Sequence, residues 1–301
     1  AKYPTAKHIV YDAVSYYGII KGNELSFGRG VVPSYSFDKA EVIVSFGADF
    51  LTSWINPIEF ARQYGETRKL RNGKKTLSKH YQFEAMLSLA GANADQRVKI
   101  KPSQQSAVVA SLYNKVAALA GGAAVNAPST PVDKVLESVA KELVAAKGKS
   151  LVVSGSNDAN EQVIVNAINF ILGNYSGTIN IDRTCNLSNS NDAAVAELLS
   201  DMNAGNVGGV IFWNTNPAYS MPDAKGFQAA LSKVPVKISF ADREDETAQY
   251  CDYICPDHHY LESWGDAEPY KNTFSLQQPT IRPLFNTRQA AESMMKWAGV
   301  A

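Results

Sequence analysis

Cysteine is scarce, with three in 301 residues: Cys185, Cys251 and Cys255. That excludes a disulfide scaffold and leaves no four-cysteine iron–sulfur run. No run of 18 apolar residues occurs. The longest candidate, 108–125, is interrupted by Asn114 and Lys115, so no helix is expected to span a bilayer. Neither sign of charge prevails: Lys+Arg and Asp+Glu stand at 29 each, which argues against a nucleic-acid-binding chain. No secretory leader opens the sequence, which starts on Ala1 instead of Met. The expectation is an excised or processed piece of a longer protein.

Several catalytic signatures are missing too. No G-x-G-x-x-G follows an apolar run, and no G-x-S-x-G is present. Gly148-Lys149-Ser150 ends like a phosphate loop, but Leu143 stands where the first glycine belongs.

What is present is an ordinary globular composition, 45% hydrophobic and 19% charged, with length for about two domains. Apolar runs alternate with helical patterns, which predicts an α/β fold with mostly parallel strands. Five runs read as strands: Glu41–Phe46, Arg97–Ile100, Ser150–Ser154, Gly209–Trp213 and Val236–Ala241. Val and Ile dominate them with little polar alternation, as in strands covered on both faces. Helical spacing joins Val132, Leu136, Val139 and Leu143, with Thr130 as cap and Pro131 at the first position. A second helix follows a Ser103 cap. A third runs from Asn160 to Leu172 with Gly173 as its stop. Others cover Asn191–Met202, Ala224–Leu231 and Thr287–Trp297. The stretch Gly121–Pro131, rich in small and turn-forming residues, reads as the boundary between two α/β lobes, 1–125 and 126–301.

Four strands run directly into small polar turns: Gly47-Ala48-Asp49, Gly155-Ser156-Asn157-Asp158, Asn214-Thr215-Asn216-Pro217 and Asp242-Arg243-Glu244-Asp245. Ligands of open parallel sheets bind outside the carboxyl ends of the strands. Asn and Asp there can read hydroxyls or base edges, so a nucleotide-like ligand is one reading. The other is that any α/β protein needs polar turns at these points. Cys251, Cys255, His258 and His259 invite a zinc site. On a strand the two sulfurs would lie about 13 Å apart at ~3.3 Å per residue, too far for one tetrahedral ion. Asp242, Glu244, Asp245 and Glu246 offer a general base or merely the acidic start of a helix. Arg62–His80 carries seven Lys or Arg against Glu66. It reads as an exposed basic turn or hairpin around Asn72-Gly73, solvated or facing an acidic partner or lipid headgroups.

The run 236–288 resembles the molybdopterin oxidoreductase family. The residues that carry the likeness are Ala241-Asp242, Glu246-Thr247-Ala248, Cys251-Asp252-Tyr253-Ile254-Cys255-Pro256, Glu262-Ser263-Trp264-Gly265, Leu276-Gln277-Gln278-Pro279 and Leu284-Phe285-Asn286-Thr287-Arg288. Upstream, Trp213-Asn214-Thr215-Asn216-Pro217 looks like the family's W-G-x-N-P turn, and Gly47-Ala48-Asp49 sits where the first half has G-x-N. The resemblance implies two α/β lobes, each a mostly parallel sheet flanked by helices, like the family's central domains. It implies a molybdopterin guanine dinucleotide held by Asn214, Asn216, Pro217, Asp242, Glu246 and Thr247, with Gly47, Asp49, Gly155 and Asn157 as weaker candidates.

The sequence departs from the family where the nucleotide is read. Ser78-Lys79-His80-Tyr81 stands where the family has Asp-Pro-Arg, and Pro102-Ser103-Gln104-Gln105 where it has Pro-Gly-x-Asp. A lost carboxylate forfeits charge-assisted bonds to guanine. No Ser or Cys metal ligand is found near Asp12, which is the one candidate substitute. The large iron–sulfur subunit of alternative complex III, a membrane-bound quinol oxidoreductase, resembles a molybdoenzyme without its cofactor, and Tyr81–Glu84 and Gly91–Asp95 look most like that branch. The resemblance therefore implies a structural lobe with no cofactor bound and no catalysis as an isolated piece. Its partners would be other subunits of a membrane-bound respiratory complex, on the periplasmic side of the inner membrane, with no nucleic acid and no membrane span of its own. The alternatives are the dinucleotide-binding core of an active molybdenum oxidoreductase, and an unrelated two-lobed binder of a small polar ligand.

Overall fold

The computed structural model describes residues 3–70 and 75–300. Contacts divide the chain into a central unit, Tyr16–Asn189, and a C-terminal unit, Ser190–Ala301 joined by the segment Ala1–Ser15.

The central unit contains α1 (Tyr17–Phe27), β1 (Pro33–Tyr35), β2 (Val42–Phe46), α2 (Pro57–Thr67), β3 (Lys79–Glu84), α3 (Leu89–Ala92), β4 (Gln96–Lys99), α4 (Gln105–Ala120), α5 (Asp133–Ala145), β5 (Ser150–Ser154), α6 (Ala159–Ile171) and β6 (Ile179–Thr184). Four strands form a parallel sheet in the order β4-β3-β2-β5, in which Val44 pairs with both Tyr81 and Val152. All residues of β2 and β5 are buried, as the unbroken Val/Ile runs predict. On one face Val44, Phe46 and Val152 meet Leu112 of α4, Leu136 and Leu143 of α5 and Ile168 of α6. Each such side chain contributes about 1.5–3 kcal/mol on burial. The helix starts follow capping chemistry. Asn56 accepts the Glu59 N–H ahead of Pro57, and Asp158 accepts those of Asn160 and Glu161. Gly173, at φ 68°, closes α6 as expected. Strands β1 and β6 pair antiparallel beside this sheet.

The C-terminal unit contains α7 (Asp192–Asn203), β7 (Gly209–Phe212), α8 (Pro217–Ser220), α9 (Ala224–Leu231), β8 (Val236–Ser239), β9 (Tyr253–Ile254), β10 (Gly265–Tyr270), β11 (Thr273–Gln277) and α10 (Ala290–Trp297). A parallel sheet runs β7-β8-β9, and β10 pairs antiparallel with β11. One sheet face is covered: Phe212 packs with Met202, Phe227, Leu231 and Val234. The pairings Gly209–Val236, Ile211–Ile238 and Ile238–Tyr253 place those residues on the other face. There Ile211 is 46% exposed, Val236 43% and Tyr253 62%. The expectation of strands covered on both faces thus holds for β2 and β5 and fails for β7 and β8.

Other expectations are corrected. The basic segment is no single hairpin. Residues through Thr67 close α2, Lys79 and His80 open β3, and Asn72-Gly73 lies outside the described residues. The strand forms because Tyr81 and Phe83 enter the core while His80, Gln82 and Glu84 bond along the opposite face. Nor does the 121–131 stretch separate the lobes, so the division does not fall between residues 125 and 126. That stretch joins α4 to α5, which pack in one core, and Tyr113 and Asn114 of α4 bond the Ala123 and Val125 backbone. Thr130 does not cap α5 through its own oxygen; its hydroxyl and N–H both donate to the Asp133 carboxylate. Among the described residues, no helix is long and apolar enough to cross a membrane.

Candidate functional site

In the C-terminal unit the turns after β7 and β8 are tied to each other. Asn214 adopts a left-handed φ of 52°, a conformation its short amide tolerates better than most side chains do. This turns the chain so that Asn216 meets the second turn. The Asn216 Oδ1 accepts the Thr247 hydroxyl at 2.7 Å and the Thr247 N–H at 3.1 Å, while its Nδ2 donates to Glu246 at 2.7 Å. Thr247, fully buried, accepts the Ala218 N–H at 3.0 Å. Pro217, at the first position of α8, is also buried. The Asn216 bond holds the Glu246 carboxyl below the usual range. Asp242 is exposed and accepts both arms of Arg243, at 3.0 and 2.8 Å, which lowers its pKa.

In the central unit the sheet has its switch point between β2 and β5. The two following turns touch there: a Cβ on Gly155 would lie 2.7 Å from the Gly47 carbonyl oxygen. Asp49 accepts the Ala90 N–H and the Thr52 hydroxyl, and Asn157 accepts the Gly18 N–H at 2.6 Å. Gln105, the neutral residue where the family pattern has Asp, lies over Gly47. Its amide donates to Glu161 at 2.9 Å, and that carboxylate also accepts from Ser154 at 2.5 Å and Ser106 at 2.7 Å. This bonded cluster lies beside the switch point.

His80 and Tyr81, which stand where the family pattern has Asp-Pro-Arg, lie in the first half of β3 and not in the turn after it. They open β3, and the turn at its carboxyl end is 85–88. The acid at that end is Glu84, which the sequence reading missed because β3 itself was read as a basic loop. Glu84 accepts from Arg97 at 2.5 Å, Ser88 at 2.6 Å and Gln82 at 3.2 Å. Burial opposes its ionisation, but the Ser88 and Arg97 bonds prevail and keep its pKa low. Like Asn216 and Glu161, it is spent on the protein itself.

Among the described residues, no group of three His, Cys, Asp or Glu side chains is placed to hold a metal ion. The Cys251–Cys255 stretch includes strand β9, and burial pushes the Cys251 thiol up to about 11. Of the residues assigned to a guanine dinucleotide, Asn216, Glu246 and Thr247 bond one another, while Asp49, Asn157 and Asp242 bond neighbours outside that set.

Polar turns thus follow parallel strands at their carboxyl ends, where open α/β sheets bind ligands. No family model matches the chain. A curated relative, the menaquinone reductase, molybdopterin-binding-like subunit of Nitratidesulfovibrio vulgaris, is 25% identical over an alignment of 322 positions covering 93% of this chain and 46% of the relative. The chain thus spans about half the length of that protein. Acetylene hydratase from Pelobacter acetylenicus shares the fold, with TM-score 0.65 and 10% identity over 96% of this chain and 51% of its own. A chain of the formyltransferase/hydrolase complex from Methylorubrum extorquens, solved with methylofuran, matches at TM-score 0.58 and 12% identity over 96% and 84% of the respective chains. The chain is thus similar in sequence to that molybdopterin-binding-like subunit and in fold to those two solved proteins.

Proposed function

We propose that this chain is a cofactor-free structural lobe of a molybdopterin-oxidoreductase-like subunit in a respiratory quinol:electron acceptor complex. In this reading the subunit lies on the periplasmic side of the membrane, its iron–sulfur centres belong to other parts of the assembly, and the lobe catalyses nothing alone. The observation that carries it is the closed bonding of the cradle. Asn216 and Thr247 bind each other, and Gln105 and Ser154 converge on Glu161. A buried polar group already satisfied gains little by exchanging partners for a ligand. The relative named as a molybdopterin-binding-like subunit of a menaquinone reductase supports the subunit role.

The test is native purification of the full-length protein, followed by denaturation, mass spectrometry for guanine nucleotides and pterin, and elemental analysis for molybdenum. The expected result is none of these at stoichiometric level. A guanine dinucleotide at one or two equivalents per chain overturns the reading in favour of an active molybdenum oxidoreductase core.

A further inference from the structure

The central unit contains a small cavity of about 10 Å³ between β1, β5, β6 and α6. Every lining residue except Tyr175 is buried. Space of that size holds one water and nothing larger. Two of its walls carry polar groups that the fold leaves over. Tyr35, on β1, is 8% exposed, and its hydroxyl has no hydrogen-bond partner among the described residues. Its ring is fixed by Trp54 and Phe60, at 5.0 and 6.2 Å between centroids. Gln162, on α6, is 4% exposed. Its Nε2 donates to the Ser154 and Ser156 carbonyls at 3.1 and 2.7 Å, while among the described residues no group donates to its Oε1. The Tyr175 hydroxyl donates to Asn166 Oδ1 at 2.9 Å and retains the capacity to accept. None of the lining residues carries a charge, and burial pushes the Tyr35 and Tyr175 hydroxyls up, so both stay neutral. Such walls balance no ion, and their polar groups distinguish the cavity from the dry apolar kind.

We propose that this cavity is the seat of one resident water, which accepts from the Tyr35 hydroxyl, donates to Gln162 Oε1 and to the Tyr175 hydroxyl, and so joins β1 to α6. Three partners are the usual complement of a buried water. The bonds extend further through Asn166, whose Nδ2 donates to Asn23 at 2.9 Å and to Ser26 at 3.1 Å, both on α1. The water thus completes a polar seam that runs from β1 across α6 to α1 inside an otherwise apolar layer.

High-resolution crystallography of the full chain and of its Tyr35→Phe variant tests it. Density for a single oxygen is expected within about 2.6–3.2 Å of both the Tyr35 hydroxyl and Gln162 Oε1. Tyr35→Phe deletes one partner of the water and leaves the Gln162 bonds to residues 154 and 156 in place. It should weaken that density and lower the folding equilibrium constant, read from urea denaturation, by about tenfold. A hydroxyl with nothing to bond would give the opposite sign, because its removal relieves a buried polar group of its cost. Absence of density at the site, or a Y35F chain as stable as the parent or more so, overturns the proposal.

Discussion

The two units both build parallel sheets from apolar runs and finish them differently. In the central unit β2 and β5 have no exposed residue. In the C-terminal unit β9 is wholly exposed, and β7 and β8 each expose their first residue. Hydrophobic runs thus fix strand formation in both, while burial depends on whether the chain supplies a second layer. The central unit covers one face with α4, α5 and α6 and the other with Phe50 and with Tyr64 of α2, which pack on His80. Isolated ribbons are marginal, and the exposed β10–β11 ribbon, with Phe274 70% and Leu276 82% exposed, is unfinished in the same sense as the bare sheet face.

Truncation should separate the units most sharply. Phe46 is fully buried and stacks on Phe83, so Phe46→Ala should cost about 3–5 kcal/mol in urea denaturation. Ile211→Ala on the open face should cost under about 1 kcal/mol. Equal costs would erase the distinction.

Acid should act on the central unit next. Burial pushes His80 down to about 4, and Tyr64 and Gln82 bond its ring nitrogens. Asp95 binds its backbone N–H, Arg68 and Glu84 lie within electrostatic reach, and Phe50 packs on the ring. An unfolded histidine takes up its proton near pH 6.5, whereas the folded one resists until about 4. Stability from this group is therefore complete above about 6.5 and drains as pH falls toward 4, by a few kcal/mol at most. Denaturation midpoints between pH 7 and 4.5 should fall, and His80→Gln should flatten that slope.

Within the C-terminal unit, Thr247→Val deletes the hydroxyl between Asn216 and the Ala218 N–H. A loss of about 1–3 kcal/mol is expected, since it strands buried partners. Calorimetry would reveal it. The smallest effect belongs to Arg243→Ala. Its pair with Asp242 is exposed, and its removal should leave the melting temperature unchanged.

The order of most elements was legible because Val, Ile and Leu recur at the right spacing. Strand β3 was not. Its inward polar face of His80, Gln82 and Glu84 mimics a loop until one knows that these side chains bond in series. The boundary was misplaced for a related reason: small residues at 121–131 signal a linker, but Tyr113 and Asn114 pin them. That the segment 1–15 belongs with 190–301 is a long-range fact that no local pattern encodes. In the candidate site, Asn216, Glu246 and Thr247 were found as a cluster, but their bonding to one another instead of outward depends on angles that composition does not specify.

The abutting turns after β2 and β5 have one further implication. Gly155 presses on Gly47 main chain to main chain, and Gly18 presses on Asn157 in the same way, its would-be Cβ 2.4 Å from a backbone carbon. A side chain at Gly155 or Gly18 would therefore have to displace main chain, so these turns keep their spacing only with glycine at both positions.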